Sequence, residues 1–349
     1  MSRFDPDPIE PRQPSQSASG AETEAFWVTG PGQGDIRSTR VTTAASESAR
    51  VHGQTLVEVK SLYSGISRGT EALIFNGRVP PGEYERMRAP FQEGDFPFPV
   101  KHGYCNVGTV IGGDESRLGQ TVFSLFPHQR RFQVPSSAAI PLPAEIPPER
   151  AVLAANMETA VNGLWDAAPR VGDRIAVVGL GVVGFLVGWL ASRIPGARVT
   201  GIDTNPARAD MARSLGIDFE TGTDRDDYDL VFHTSGHPEG LNTALGLAGM
   251  EARIVEMSWF GTQEASVALG GAFHSRRLTL ISSQVGQVSP VQRPRWAYPD
   301  RLALALSLLD SPALDALITG ESDFSELPVT MARLAGATDE LCHRVRYER

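Results

Sequence analysis

Cysteine is nearly absent from this chain of 349 residues, which has only Cys105 and Cys342. Two thiols allow one disulfide in principle, but they exclude a disulfide framework and any zinc lobe built on four cysteines. Aromatic residues are sparse at 7%, and basic residues fall short of acidic ones, 32 against 41, leaving a formal charge of −9. An acidic chain without a basic cluster is a poor match for nucleic acid or an anionic membrane surface. Long apolar runs are scarce too. The one candidate, 175–191 (IAVVGLGVVGFLVGWLA), holds 17 residues without a charge but carries Gly179, Gly181, Gly184 and Gly188. It reads better as a buried strand, a glycine turn and a buried helix than as a membrane span. The first twenty residues hold four prolines, four serines and no apolar core, and Asp5, Asp7 and Glu10 argue against a transit peptide. The expectation is a disordered tail over 1–22 ahead of a soluble, cytoplasmic protein. The rest is ordinary: 41% hydrophobic residues, and a length that suits roughly two domains of about 150 residues each.

From Ile175 onward strand and helix patterns alternate. Strands are expected at 175–178, 197–203, 228–236, 252–261 and 277–286, with a further short one near 217–219. Asn205-Pro206 opens a helix, with Asn as N-cap and Pro in the first turn, and Gly216 ends it. Repeated βα units of this length need parallel pairing with right-handed crossovers, giving an α/β doubly wound sheet. Before this region, 55–67, 107–113, 120–126 and 131–135 read as short strands broken by glycine and proline, a compact β-rich unit. After it come an amphipathic helix at 298–309 and a closing segment, CHRVRYE. A parallel sheet inserted between two parts of a β-rich domain is the simplest arrangement. No internal repeat is visible.

Gly179-Leu180-Gly181-Val182-Val183-Gly184 matches GxGxxG between a strand and a helix. The first glycine permits the tight turn, the second lets the backbone approach a pyrophosphate, and the third allows close helix–strand packing. Asp203 lies nineteen residues past Gly184, where an acid accepts hydrogen bonds from the ribose hydroxyls. Its charge would repel a 2′-phosphate, which favours NAD; NADP stays open because Arg208 lies close by. A Rossmann-like sheet that binds S-adenosylmethionine is the other reading of the same turn and acid.

These features resemble the medium-chain dehydrogenase/reductase superfamily from about Glu24 to the C-terminus. Zinc alcohol dehydrogenases of that superfamily carry GIC-x-[ST]-D, and this chain has Gly65-Ile66-Ser67-Arg68-Gly69-Thr70-Glu71. The family's GHE segment corresponds to Gly103-Tyr104-Cys105. The resemblance therefore puts Ser67 at the place of a zinc cysteine, Tyr104 at the histidine and Cys105 at the glutamate. No metal site is expected, and a stray one from His102, Cys105 and His128 is disfavoured. The phrase SGISRGTE is similar to the bacteriochlorophyllide 3-hydroxyethyl dehydrogenases and to a sister group named zinc-binding dehydrogenases by analogy. The implied fold is a Rossmann sheet at 156–289 inserted in a GroES-like catalytic domain at 23–155 and 290–349. The implied activity is zinc-independent hydride transfer between NAD(H) and a secondary alcohol or carbonyl, by a cytoplasmic chain that can form a homodimer through sheet extension. The alternatives are an NADPH-dependent quinone or enone reductase and a non-catalytic NAD(P)H sensor.

Without a metal, a proton donor must stabilise charge on the substrate oxygen. Tyr104 is the first candidate, Thr70 a relay toward the cofactor ribose, and Ser67 a filler of the vacated cysteine volume or a direct participant. Arg68 matches the family's basic residue at the pyrophosphate. Thr159 corresponds to a threonine against the nicotinamide, or else bonds back to a helix carbonyl. Ser235, Gly236, Ser258 and Ser283 end successive strands, where an open α/β sheet presents its ligand loops. His128, Arg130 and Arg131 can be read as a polar group for an acidic substrate, or as a solvated loop. His233 reads as a satisfied core histidine. The pair Arg276-Arg277 suits a phosphate contact or a domain interface.

Overall fold

The computed structural model describes residues 21–336 and 339–348. Most of the expected N-terminal tail lies outside the described residues, and Glu22 already opens a strand. The element that positions the site is a parallel sheet of six strands. Its spatial order is Asp218–Glu220, Arg198–Ile202, Arg174–Val178, Tyr228–His233, Ala248–Glu256 and Thr279–Ser282, and every neighbouring pair is parallel. The chain starts in the middle at Arg174–Val178, builds outward to one edge, then returns to build the other half. The switch point therefore falls beside Val178, directly below the glycine turn, where such sheets open a crevice for ligands.

Burial on both faces explains the apolar run. Ile175, Ala176 and Val177 are fully buried. Alternation sends Ile175 and Val177 into the core shared with Phe185, Leu186 and Trp189 of the helix Val182–Ala191. Ala176 and Val178 join the opposite core with Leu241, Ala244 and Leu245 of the helix Pro238–Leu247. The helix Val182–Ala191 is apolar on nearly every side because it is sandwiched between the sheet and the helix Ala154–Ala167. Each large apolar side chain buried this way stabilises by about 1.5–3 kcal/mol before conformational entropy is subtracted.

The second unit is a largely antiparallel sheet in which Leu56–Ile66 pairs with Asn106–Gly113, Arg131–Pro135 and Cys342–Arg346. Ile318–Asp323 and Cys342–Arg346 come after the parallel sheet in sequence, yet Cys342–Arg346 returns to Leu56–Ile66. The β-rich unit is therefore assembled from both sides of the parallel one. The helix Arg68–Phe75 leaves directly from the end of Leu56–Ile66, which brings the SGISRGTE segment to the sheet's rim.

Several expectations are corrected. The hairpin Glu22–Gly30 and Gln33–Arg40 has no counterpart in the sequence reading; exposure along Gln33–Arg40 masks its alternation. The strand expected to reach Gly261 ends at Glu256. Residues beyond it leave the sheet, so that Thr262 N–H donates to the Arg78 carbonyl at 3.0 Å. Trp259 packs with Ile74, Phe75 and Phe96 of the β-rich unit. Arg276 spends its guanidinium on Asp226 at 2.6 Å and on the carbonyls of Gly246 and Ala248, while Arg277 pairs with Glu251 at 3.0 Å. Both bind at the strands' N-terminal ends, opposite the glycine turn, so neither expected role holds. Among the described residues no helix is long and apolar enough to cross a membrane.

Candidate active site

The three motif glycines do different work. Gly179 has φ +97°, and a Cβ there would stand 2.5 Å from the Ser235 Cα, so the turn requires glycine both for its dihedral and for close approach. A Cβ on Gly184 would lie 2.0 Å from the Gly179 carbonyl oxygen, which is the tight helix-to-strand contact. At Gly181 no atom lies within 4 Å of the Cβ position. Gly181 is the N-cap of Val182–Ala191 and no side chain caps that helix. Its first amides therefore face an open cradle, the surface an anionic pyrophosphate requires. Leu180 is fully buried and pins the turn, while Val182 and Val183 form the helix's first turn.

Asp203 stands at the tip of the second strand. One carboxylate oxygen accepts the Leu180 amide at 2.7 Å and the other accepts the Asn205 amide at 2.9 Å. The acid thus shapes the glycine turn as well as charging the crevice. Arg208 turns aside to the Asp339 carbonyl at 2.6 Å, and the Asn205 amide nitrogen donates to the Asp339 carboxylate at 2.8 Å. Arg68, on the β-rich unit, lies within the field of Arg208. Burial first and Arg208 second lower its pKa, partly offset by Asp339 and Glu340.

On the β-rich side the structure brings Ser67, Thr70 and Tyr104 together. The Tyr104 phenol stands beside the side chains of Ser67 and Thr70, both of which favour its charged form. Burial, then the fields of Cys105 and Glu71, pushes its pKa up, so the phenol keeps its proton. Ser67 is the N-cap of Arg68–Phe75, yet its hydroxyl makes no cap. Glu71 takes that duty, accepting the Ser67 amide at 2.8 Å. The freed hydroxyl donates to the Asn156 side-chain carbonyl at 3.2 Å. Asn156 escaped the sequence reading because an asparagine inside a helix carries no motif.

A zinc ion takes thiolate, imidazole or carboxylate. Here the corresponding places hold a hydroxyl, a phenol kept protonated and, at Cys105, a thiol that burial and the Glu71 field push well up in pKa. This donor set does not fit zinc. Among the described residues no group of His, Cys, Asp or Glu is placed to hold a metal ion. Both cysteines are buried and unpaired.

Other expected residues turn away from the cleft. The Thr159 hydroxyl donates back to the Ala155 carbonyl at 3.0 Å, the helix-interior alternative. Ser235 Oγ is spent on His233 Nε2 at 2.6 Å, and His233 Nδ1 lies 2.6 Å from Glu256, so His233 is a satisfied core histidine. Ser258 Oγ accepts the Gly236 amide at 3.1 Å, and Ser283 donates to Asp166 at 2.6 Å. Ser235, Gly236, Ser258 and Ser283 shape their loops through these bonds. The 128–131 stretch is neither a solvated loop nor an acid-binding group. His128 is buried against Glu71 at 2.9 Å, Arg130 pairs with Glu24 at 2.7 Å, and Arg131 donates to Glu58 at 3.0 Å.

A glycine turn at a parallel sheet's switch point, beside a β-rich unit assembled from both sides of that sheet, is the architecture of the medium-chain dehydrogenase/reductase fold. The sequence relatives agree. The D-guloside 3-dehydrogenase of Escherichia coli K12 is 25% identical over 272 residues, 69% of this chain and 77% of that one. The 2-desacetyl-2-hydroxyethyl bacteriochlorophyllide A dehydrogenase of Rhodobacter capsulatus is 28% identical over 280 residues, 74% of this chain and 79% of that one. Among solved structures, the short chain alcohol dehydrogenase (rspB) of Escherichia coli CFT073, complexed with NADH, aligns with a TM-score of 0.71 at 17% identity. That alignment covers 94% of this chain and 100% of the other, and it shows the shared fold. No family model matches the chain. By these likenesses the chain is an oxidoreductase similar to the medium-chain dehydrogenases.

Proposed function

We propose that the chain is a zinc-independent oxidoreductase that interconverts a secondary alcohol and a carbonyl with NAD(H), in the cleft between its two sheets. The observation that carries this reading is the juxtaposition of Ser67, Tyr104 and Thr70, with a protonated phenol standing at the place of a metal ligand in the family the chain resembles. Gly179, Gly181 and Gly184 would hold the cofactor's pyrophosphate, with Arg68 balancing its charge and Asp203 meeting the adenosine ribose. Bound there, a nicotinamide supplies or accepts the hydride.

The chain's own residues handle the proton. In the reductive direction Tyr104 Oη releases its proton to the substrate oxygen as negative charge develops there, and the phenolate takes a proton back from water before the next turnover, with Thr70 beside it. In the oxidative direction the same oxygen takes the proton back. Asn156 and Ser67 keep the phenol oriented, which removes reorganisation from the barrier. Asp203 favours NAD over NADP, because its charge opposes a 2′-phosphate and Arg208 is engaged with Asp339. We take 23–155 with 290–349 as the catalytic domain and 156–289 as the cofactor domain, although the helix Ala154–Ala167 runs across that first limit. The open edge at Thr279–Ser282 suits pairing between two copies of the chain. Cytoplasmic residence fits a chain with two unpaired thiols.

Parallel fluorescence titrations with NADH and NADPH test the cofactor reading, and selective NADPH binding would reverse it. Metal analysis of active protein tests zinc independence; stoichiometric zinc, lost together with activity on chelation, would end that reading. Tyr104→Phe is expected to lower kcat at least about tenfold while leaving NADH affinity within about twofold, the pattern for loss of a proton donor.

A further inference from the structure

A buried chain of polar groups runs from the C-terminal strand to Ser67, and the proton path above does not use it. The Tyr347 phenol lies 3.0 Å from Ser64 Oγ, Ser64 Oγ lies 2.7 Å from His128 Nδ1, and His128 Nε2 lies 2.9 Å from Glu71 Oε2. The other Glu71 oxygen accepts the Ser67 amide at 2.8 Å. Tyr347, Ser64, His128 and Glu71 are each 4% exposed or less.

Counting donors orders this chain in one direction. The Glu71 carboxylate can only accept from His128 Nε2, so the Ser64 proton goes to His128 Nδ1 and the Tyr347 proton to Ser64. Nδ1 then accepts, which puts the imidazole hydrogen on Nε2, aimed at Glu71. Reversing any one link leaves Tyr347 with a buried proton and no acceptor, at the cost of an unsatisfied group. By donating to Ser64, the Tyr347 hydroxyl holds the Ser64 hydroxyl on His128 and so steadies the imidazole against Glu71. Glu71, held by two donors, caps the Arg68–Phe75 helix and releases the Ser67 hydroxyl toward Tyr104.

We propose that Tyr347, acting through Ser64, His128 and Glu71, is a positioning residue for the Ser67–Tyr104 pair. The C-terminal strand thereby reaches the reacting end of the cleft without touching substrate or cofactor. The inference rests on the reading of Tyr104 as proton donor for its catalytic consequence, but the placement of the phenol can be measured without turnover.

The test uses Tyr347→Phe, which keeps the ring stacked on Phe324 at 4.8 Å, and Ser64→Ala, which breaks the next link. Fluorotyrosine incorporated at position 104 reports the phenol's surroundings by fluorine NMR in the full-length protein. Both variants are expected to move that resonance in the same direction. Each should also lower kcat about fivefold, the rate equivalent of roughly one neutral hydrogen bond, with NADH affinity within about twofold of the parent. The double variant should do no more than either single one, because both break one chain. An unmoved resonance in both variants would overturn the proposal, as would equal losses of NADH affinity and turnover. A parent protein that turns over no carbonyl would sink the proposed activity, while the fluorine shift would still decide the positioning.

Discussion

His102 makes acid sensitivity a direct readout of burial. It is 4% exposed, and its Nδ1 has no hydrogen-bond partner. Its ring lies edge-on to Tyr104 at 5.7 Å and tilted against Phe96 at 6.2 Å. Burial lowers its pKa from 6.5 to about 4; Glu71 pulls the other way, and His128 adds to the lowering. The unfolded chain therefore takes up a proton near pH 6.5 that the folded chain refuses until about pH 4. Between those values the unfolded state binds more protons, so stability falls as pH falls. The loss is absent above pH 6.5, reaches about 2 kcal/mol at pH 5 and about 3 kcal/mol at pH 4, from 1.36 kcal/mol per pH unit. Urea unfolding of the parent and His102→Phe between pH 8 and pH 5 measures it. The variant keeps an aromatic ring beside Phe96 and Tyr104 and cannot titrate. Its stability relative to the parent should rise by about 2 kcal/mol over that range. Parallel curves for the two proteins would refute the reasoning.

Three further outcomes separate packing from binding. Gly184→Ala should destabilise by about 1–3 kcal/mol through its clash with the Gly179 carbonyl, whereas Gly181→Ala should leave stability within about 0.5 kcal/mol and weaken NADH; urea melts and titrations distinguish them. Arg301→Leu should cost about 3–5 kcal/mol in the same melts, because it strands Glu158, now paired at 3.0 Å, as a buried charge. The double change with Glu158→Leu should recover most of that loss. Asp203→Ala should weaken NADH about fivefold more than NADPH, since a charge-assisted contact to the ribose is lost; equal losses would leave Asp203 only its hold on the Leu180 amide.

Much of the parallel sheet was legible because both of its faces are buried. Runs such as IAVV and LVFH admit few other environments, and Asn205-Pro206 announces its helix by side-chain capping at 3.0 Å to Ala207. The hairpin at Glu22–Gly30 was not legible, since one of its strands lies on the surface and its apolar partners come from elsewhere in the chain. Among site residues, the glycines were readable because each answers a steric demand within a few residues. The serines ending the strands were readable only as positions. Whether their hydroxyls face ligand or loop depends on neighbours such as His233 and Asp166.

Local demands of the backbone were therefore written into the sequence itself: the turn that needs Gly179, the contact that excludes a side chain at Gly184, and the acid nineteen residues beyond it. Tertiary structure alone decided the chemistry of the opposite wall. Ser67, Tyr104 and Asn156 are far apart in the chain, and so are Ser64, His128 and Tyr347. These groups meet because Cys342–Arg346 returns to pair with Leu56–Ile66 and the helix Ala154–Ala167 brings Asn156 to the Ser67 hydroxyl. A hydroxyl's partner is chosen by which acceptor burial leaves within reach, and no spacing along the chain records that choice.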